Sequence, residues 1–172
     1  MKIAYVNSSK RGETDLVLST IADHLLASGA VLAGIVKESS HESRFENGCD
    51  MKVRVLPTGP IIKITQDLGE GSDACRLDPA AITEAVTCVE QLPIDQADLF
   101  ILNKFGPEEA GGRGFVSAIS KAVERDIPVL VGVGNGSLGA FKDFSGGLAE
   151  QLPADTDAIL KWCGQSILQP SR

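Results

Sequence analysis

Eight residues near the amino terminus, Asn7 to Thr14, read NSSKRGET and have the composition of a loop that holds phosphate. The pattern GxxxxGK[ST], which cradles nucleotide phosphates between a strand and a helix, has the same length. Gly12 occupies its second glycine position, and Thr14 occupies the hydroxyl position that binds Mg²⁺. The segment therefore predicts an anion-binding loop. The expected contact residues are Ser8, Ser9, Lys10, Arg11, Gly12, Glu13 and Thr14.

Two positions of this pattern are changed. Asn7 replaces the first glycine, and Glu13 replaces the lysine that normally meets the β- and γ-phosphates as a point charge. A carboxylate and a phosphate ~4 Å apart repel each other by about 4 kcal/mol at an effective dielectric near 20. That repulsion offsets much of what the backbone amides and the helix dipole contribute. Ordinary ATP binding then requires another cation, and the candidates are Lys10, Arg11 and Lys104.

A purely structural explanation of the loop stays open. Many turns between a strand and a helix carry glycine and threonine only to cap the helix. The phosphate interpretation gains support from position, because open α/β sheets bind ligands at the carboxyl ends of their strands. A flavodoxin-like loop would look similar, but the later chain lacks the aromatic loops that usually sandwich a flavin.

The segment LFILNKFG is the second element that bears on chemistry. In P-loop proteins a short apolar strand often ends in an aspartate that holds Mg²⁺, and a glutamate base can follow it. Here Asn103 and Lys104 occupy those positions, so the first has no charge and the second, when protonated, is no base. We therefore expect Glu13 and Lys104 to have exchanged charges and to form an ion pair, which requires roughly 4 Å.

Other candidates lie in nearby loops. Arg76 precedes a helix that Asp78 caps and Pro79 begins, and it could contact an anion or form a surface ion pair. Arg113 lies in a glycine-rich loop that could close over a ligand, and Gly106 follows the NKF segment. The predicted ligand-binding set outside the first loop comprises Arg76, Asn103, Lys104, Gly106 and Arg113.

Catalytic residues are only weakly indicated. Glu108 and Glu109 are adjacent acids that suit either a solvated start of a helix or acid–base work, and Lys104 is the third candidate. No metal site is predicted, because the two histidines share no ligand spacing and the four cysteines form no CxxC pair. Free thiols are expected, with Cys49 and Cys75 in loops.

The hydrophobic pattern predicts the elements that position these residues. Apolar runs and helical periodicity alternate in the order βαβ, hairpin, αβ, αβ, α, which is typical of one doubly wound, three-layer α/β domain over residues 1–172. A β-hairpin is inserted at about 51–66. The predicted strands are 2–7, 31–36, 99–102 and 128–133, and the predicted helices are 14–27, one from 79, 115–125 and 157–165.

Composition limits the partners. The net charge is −7 and no basic run is present, which argues against nucleic acid and anionic membranes. No apolar stretch reaches the ~18 residues of a membrane span, and no signal-peptide core is visible, so a cytoplasmic protein is expected. A homo-oligomer or a protein partner stays open.

Several segments resemble a family of unknown function that is described as nucleoside-triphosphatase-like and is often found near molybdenum-transport genes. They are GETD, CDM, LGEGSDACRLDP, DLFILNKFGPEEAGG and PVLVGV, and the resemblance covers nearly the whole chain. The chain is also distantly similar to small P-loop nucleoside triphosphatases that carry DEIGxME. This resemblance implies the P-loop fold, and the chain departs from the triphosphatase pattern at Asn7, Glu13 and Asn103–Lys104.

Three functions follow as hypotheses. The first is a regulatory or accessory protein that binds a nucleotide, phosphate or another oxyanion, with molybdate implied by the family's association. The second is an active triphosphatase with Lys10 or Arg11 on phosphate, Thr14 on Mg²⁺, and Glu108 or Glu109 positioning water. The third is a module for protein interaction alone.

Overall fold

A computed structural model of the chain describes residues 1–40, 51–66 and 77–167. One seven-stranded sheet runs through it. Its strands are β1 (Ile3–Val6), β2 (Leu32–Lys37), β3 (Lys52–Val55), β4 (Ile61–Lys63), β5 (Leu99–Phe105), β6 (Val129–Val133) and β7 (Glu150–Leu152). The helices are α1 (Glu13–Ala27), α2 (Pro79–Gln91), α3 (Pro107–Ala110), α4 (Val116–Glu124), α5 (Leu138–Phe144) and α6 (Thr156–Ile167), with 3₁₀ turns at Ile94–Gln96 and Asn135–Ser137.

The sheet has the order β4-β3-β2-β5-β6-β1-β7. The strands β2, β5, β6, β1 and β7 pair in parallel, whereas β3 runs antiparallel to β2 and β4 antiparallel to β3. The predicted α/β class, with a mostly parallel sheet and an inserted hairpin, is therefore confirmed. The chain leaves β1 toward β2 and leaves β6 toward β7, so the carboxyl ends of β1 and β6 form a topological switch point, where such sheets bind ligands.

Helices cover both faces of the sheet. Successive strand residues point to opposite faces, so Val6 packs in a cluster with Leu18 of α1 and Trp162 of α6. Its neighbour Tyr5 packs in the other cluster, which includes Phe141 of α5 and residues of α2 and α4. The central strands are buried on both sides, which explains their nearly continuous apolar sequences.

The segment from 134 to 152 differs from its predicted form. The sequence predicts a loop over residues 135–147, but this part forms a 3₁₀ turn and α5, and the edge strand β7 follows it. Phe141 is fully buried there, and its ring centroid lies 5.2 Å from those of Tyr5 and Phe105. The strand β5 likewise continues beyond its predicted end at residue 102 to Phe105, which is fully buried. The sequence shows no helical periodicity here because α5 is short and glycines flank it.

Helix α1 lies very close to β6. A Cβ atom at Gly132 would lie 2.1 Å from the carbonyl oxygen of Asn103, 2.9 Å from Leu18 Cδ1 and 3.0 Å from Thr14 Cγ2. A glycine is therefore required where the first turn of α1 crosses the ends of β5 and β6. This close approach sets the position of the loop before α1.

We predict that Gly132→Ala destabilises the protein by about 1–3 kcal/mol, because the new methyl group overpacks the contact between helix and sheet. Gly136→Ala is the matched control, since a Cβ there meets nothing within 4 Å. Urea denaturation of both variants measures the difference. Equal unfolding midpoints would contradict the close approach.

Candidate functional site

The loop between β1 and α1 adopts the predicted strand–loop–helix arrangement. β1 ends at Val6, and α1 begins at Glu13. Gly12 has a positive φ of 76°, a left-handed conformation that glycine adopts without steric cost. The first turn of a helix leaves backbone N–H groups without intrahelical partners, and the helix dipole makes this end electropositive. The 15-residue helix α1 thus presents an electropositive terminus at the carboxyl edge of the sheet.

Glu13 is engaged within its own loop. Its carboxylate accepts a short hydrogen bond from the hydroxyl of Ser8, and its Oε1 lies 3.3 Å from Nζ of Lys10. The hydrogen bond from Ser8 lowers the pKa of Glu13, and Lys10 acts in the same direction. The predicted pair between Glu13 and Lys104 is wrong: within the described part of the chain, the ion pair of Glu13 is with Lys10. The negative charge of Glu13 is offset by Lys10, which lies three positions earlier in the sequence.

Asn7 fastens the loop to the end of β6. Its side-chain amide donates to the carbonyl oxygen of Val133 at 2.7 Å and to Oδ1 of Asn135 at 3.0 Å. A glycine at this position could make neither bond. The change from the phosphate-loop pattern therefore adds a tie between two loops at the sheet edge.

Asn103 joins three elements. It is 3% exposed, and its amide nitrogen donates to Oδ1 of Asp15 at 3.0 Å while its oxygen accepts from the backbone N–H of Lys37 at 3.1 Å. Lys37 Nζ also lies 3.8 Å from Oδ2 of Asp15. An ionised aspartate at position 103 could not donate to Asp15 and would place two carboxylates together. This contact accounts for asparagine at the end of β5.

Lys104 lies beside this network with an exposed side chain. Its Cε is 3.7 Å from the position that a Cβ of Gly134 would take, so it crosses the end of β6. Among residues 1–40, 51–66 and 77–167, Lys104 has no ion-pair partner. It is therefore available to a ligand in a way that Lys10 and Lys37 are not.

The two adjacent acids have different environments. Glu109 is 6% exposed, and its two oxygens accept from the backbone N–H groups of Gly106 at 3.0 Å and Phe115 at 3.1 Å. The interpretation of Glu109 as part of a solvated start of a helix is therefore wrong. Glu108 forms a two-point ion pair with Arg113, with Nε–Oε2 at 2.9 Å and Nη2–Oε1 at 3.3 Å, and this pairing lowers the pKa of Glu108. Both carboxylates fasten the segment that follows β5.

We predict that Glu109→Ala lowers the free energy of unfolding by about 2–4 kcal/mol, because it leaves two backbone N–H groups without an acceptor. Glu108→Ala is the control, since an exposed ion pair contributes at most about 1 kcal/mol. Chemical denaturation of the two variants gives the comparison. A loss no greater than that of the control would rule out the bracing role of Glu109.

These elements enclose a cleft of about 580 Å³ at the carboxyl edge of the sheet. Most of the predicted site residues line it: Ser8, Ser9, Lys10, Arg11, Gly12, Thr14, Asn103, Lys104, Gly106, Glu108 and Glu109. Glu13 and Arg113 are engaged beside it, and the prediction for Arg76 lies outside the described residues, as do those for Cys49 and Cys75. Asp15 and Lys37 also line the cleft and were missed, because only folding brings α1, β2 and β5 together.

The titratable groups give little sign of a metal centre. No cluster of three or more His, Cys, Asp or Glu side chains that could hold an ion is found in the residues that the structure describes. Cys88 and Cys163 are free thiols, and burial raises the pKa of Cys163 to about 12. Cys163 is thus an unreactive core residue at neutral pH.

Comparison with known proteins adds the family. The family model described as "Protein of unknown function (DUF2478)" matches residues 3–162. The chain belongs to this family. The DUF2478 match includes the loop after β1, the Asn103 network and the segment braced by Glu109. The resemblance inferred from the sequence motifs is therefore confirmed.

One curated relative carries a transport name. "Molybdenum import ATP-binding protein ModC 2" of Bradyrhizobium diazoefficiens (strain JCM 10833 / BCRC 13528 / IAM 13628 / NBRC 14792 / USDA 110) is 31% identical over 163 residues. The match covers 94% of this DUF2478 chain but only 18% of that relative. The chain thus corresponds to less than a fifth of the length of that protein.

Two solved structures share the fold. The solution structure of a human cancer-related nucleoside triphosphatase aligns with a TM-score of 0.61, and the crystal structure of THEP1 from the hyperthermophile Aquifex aeolicus aligns with 0.64. Each is 12% identical, with 100% of both chains covered. This DUF2478 chain therefore has the fold of P-loop nucleoside triphosphatases. Across its described ranges, no helix combines the length and apolar character needed to cross a membrane.

Proposed function

We propose that this protein binds a small anionic ligand, either a nucleotide or another phosphate-bearing or oxyanionic compound, and does not hydrolyse it. The site is the cleft between the loop 7–12, the end of β5 and the end of β6. Its attractive side combines the amino terminus of α1 with the ammonium group of Lys104, which has no ion-pair partner among the described residues. The shared fold with P-loop triphosphatases supports a ligand at this edge.

The second half of the proposal, that the ligand is not hydrolysed, rests on the contacts of the carboxylates in the cleft. Hydrolysis requires a group that orients or deprotonates water, and usually a carboxylate that holds Mg²⁺. Asp15 is bonded to Asn103, Glu108 to Arg113, and Glu109 to backbone N–H groups. Each described carboxylate that lines the cleft thus already has a partner. The site favours binding over turnover.

A regulatory or accessory role linked to molybdenum extends the proposal. Its support is the relative named as a molybdenum import ATP-binding protein, and molybdate is itself an oxyanion. ATP binding by that relative can belong to the large part of it that this chain does not match. The free thiols Cys88 and Cys163 support a reducing, cytoplasmic setting, and we propose that residues 1–172 act as one domain.

A Mg²⁺-dependent triphosphatase is the second candidate. Thr14 lines the cleft at the position where a P-loop hydroxyl binds Mg²⁺. The two functions separate in one experiment. The protein is titrated with ATP, phosphate and molybdate, each with and without Mg²⁺. A ligand that binds should raise the free energy of unfolding by about 2.7 kcal/mol when its concentration is 100 times its dissociation constant. Phosphate release from ATP would replace the binding proposal by the enzymatic one.

Lys104 is predicted to supply the cation that Glu13 does not. Lys104→Gln should weaken anion binding about ten-fold or more, because a charge-assisted hydrogen bond is worth about 1.5–3 kcal/mol. The control is Lys161→Gln, which removes an exposed lysine of α6 outside the cleft. Isothermal titration calorimetry with ATP, phosphate and molybdate measures the affinities. Equal affinities in the two variants would exclude Lys104 from the site.

Reversing the charge at position 13 should have the opposite effect. Glu13→Lys removes the acceptor of Ser8 and Lys10 and restores the lysine of the phosphate-loop pattern. We expect nucleotide affinity to rise at least ten-fold, measured by thermal shift and calorimetry. Glu90→Lys, an equal charge change on the exposed face of α2, is the control. Unchanged affinity in Glu13→Lys would count against the loop as the phosphate site.

A further inference from the structure

We propose that the ligand of this cleft is an organic anion, with a phosphate-like head at the loop and an apolar, ring-sized body at the opposite end. This inference rests on the proposed function and names its ligand class. It would exclude bare phosphate and molybdate as the preferred ligands. The body would lie against the apolar end of the cleft, which we define as Met51, Val53, Ile64, Leu77, Ile82 and Phe115.

The two ends of the cleft differ in chemistry. The polar end consists of the loop before α1 with Lys104, and the apolar end is formed by β3, the residue after β4, the start of α2 and Phe115. Thr65 also lines the apolar end, but its hydroxyl already accepts from the backbone N–H of Met51 at 3.1 Å. A ligand body there would meet mainly hydrocarbon. Pockets of this composition bind organic molecules and use a few polar groups to orient them.

Leu77 presents exposed apolar surface to the cleft, which a buried core residue does not. It is held in place by a β-bridge to Thr65, yet the residue is 47% exposed. Ile82, which also lines the cleft, lies in the first turn of α2 and is half-buried. Exposed apolar surface on a concave wall gains free energy when a ligand covers it, because that area is removed from water.

The size of the cleft supports the same ligand class. Its volume of about 580 Å³ lies within the roughly 300–1,000 Å³ typical of sites for organic ligands. A single tetrahedral oxyanion would reach the loop and Lys104 but would leave the apolar end uncovered. A head joined to a ring would satisfy both ends at once.

Three probes separate the contributions: inorganic phosphate for the head, phenol for the ring, and phenyl phosphate for both together. We expect phenyl phosphate to bind at least ten-fold more tightly than phosphate, as measured by titration under methyl-detected NMR. Phenyl phosphate and phenol should shift the methyl signals of Met51, Leu77 and Ile82. Inorganic phosphate should leave those three signals in place.

Substitutions at Leu77 test the location. Leu77→Ser should weaken phenyl phosphate binding about three- to ten-fold and leave phosphate binding unchanged, whereas Leu77→Met should retain the native affinity. Leu148→Ser, at a leucine 72% exposed outside the cleft, is the matched control and should change neither. The retained phosphate affinity of Leu77→Ser also shows that the variant is folded.

The outcomes distinguish this inference from the proposed function. Equal affinities for phosphate and phenyl phosphate, with no effect of Leu77→Ser, would overturn the inference and leave anion binding intact. If neither phosphate nor phenyl phosphate binds, and ATP and molybdate do not bind either, both the inference and the proposed function would be overturned. Weaker binding of phenyl phosphate in Leu77→Ser alone, with the three methyl shifts, would support the organic anion.

Discussion

The buried amide of Asn103 is the contact on which the cleft depends. It donates to the first turn of α1 through Asp15 and accepts from the last residue of β2, so it fixes a helix and two strands relative to one another. An amide can donate and accept at once, whereas a carboxylate can only accept when ionised. The position of the loop before α1, and with it the floor of the cleft, follows from this bond and from the glycine beside it at position 132.

The charges around this contact are balanced locally. Lys10 offsets Glu13, Lys37 offsets Asp15, and Arg113 offsets Glu108. These pairs are partly exposed, so each adds little to stability, but together they reduce the negative potential that an incoming anion would meet. The net charge of −7 is therefore not concentrated at this edge of the sheet, where these three acids are each paired with a base.

The sequence predicted the parts of this site that depend on local order. Spacing located the loop Asn7–Thr14 between a strand and a helix, and the apolar runs located the central strands. It did not predict which charges pair, because Asp15 and Asn103 are 88 positions apart and meet only after the sheet forms. The burial of Glu109 was missed for a different reason: its partners are close in sequence, but both contacts form only when the chain from Gly106 to Phe115 folds back around the carboxylate.

The bond between Asn103 and Asp15 also constrains how this chain could change over evolutionary time. A single substitution of Asn103 to aspartate would set two carboxylates against each other in a buried place. The effects of changes at the two positions are therefore strongly non-additive, as expected for residues in contact. An aspartate at position 103 is therefore compatible with this arrangement only after Asp15 has also changed.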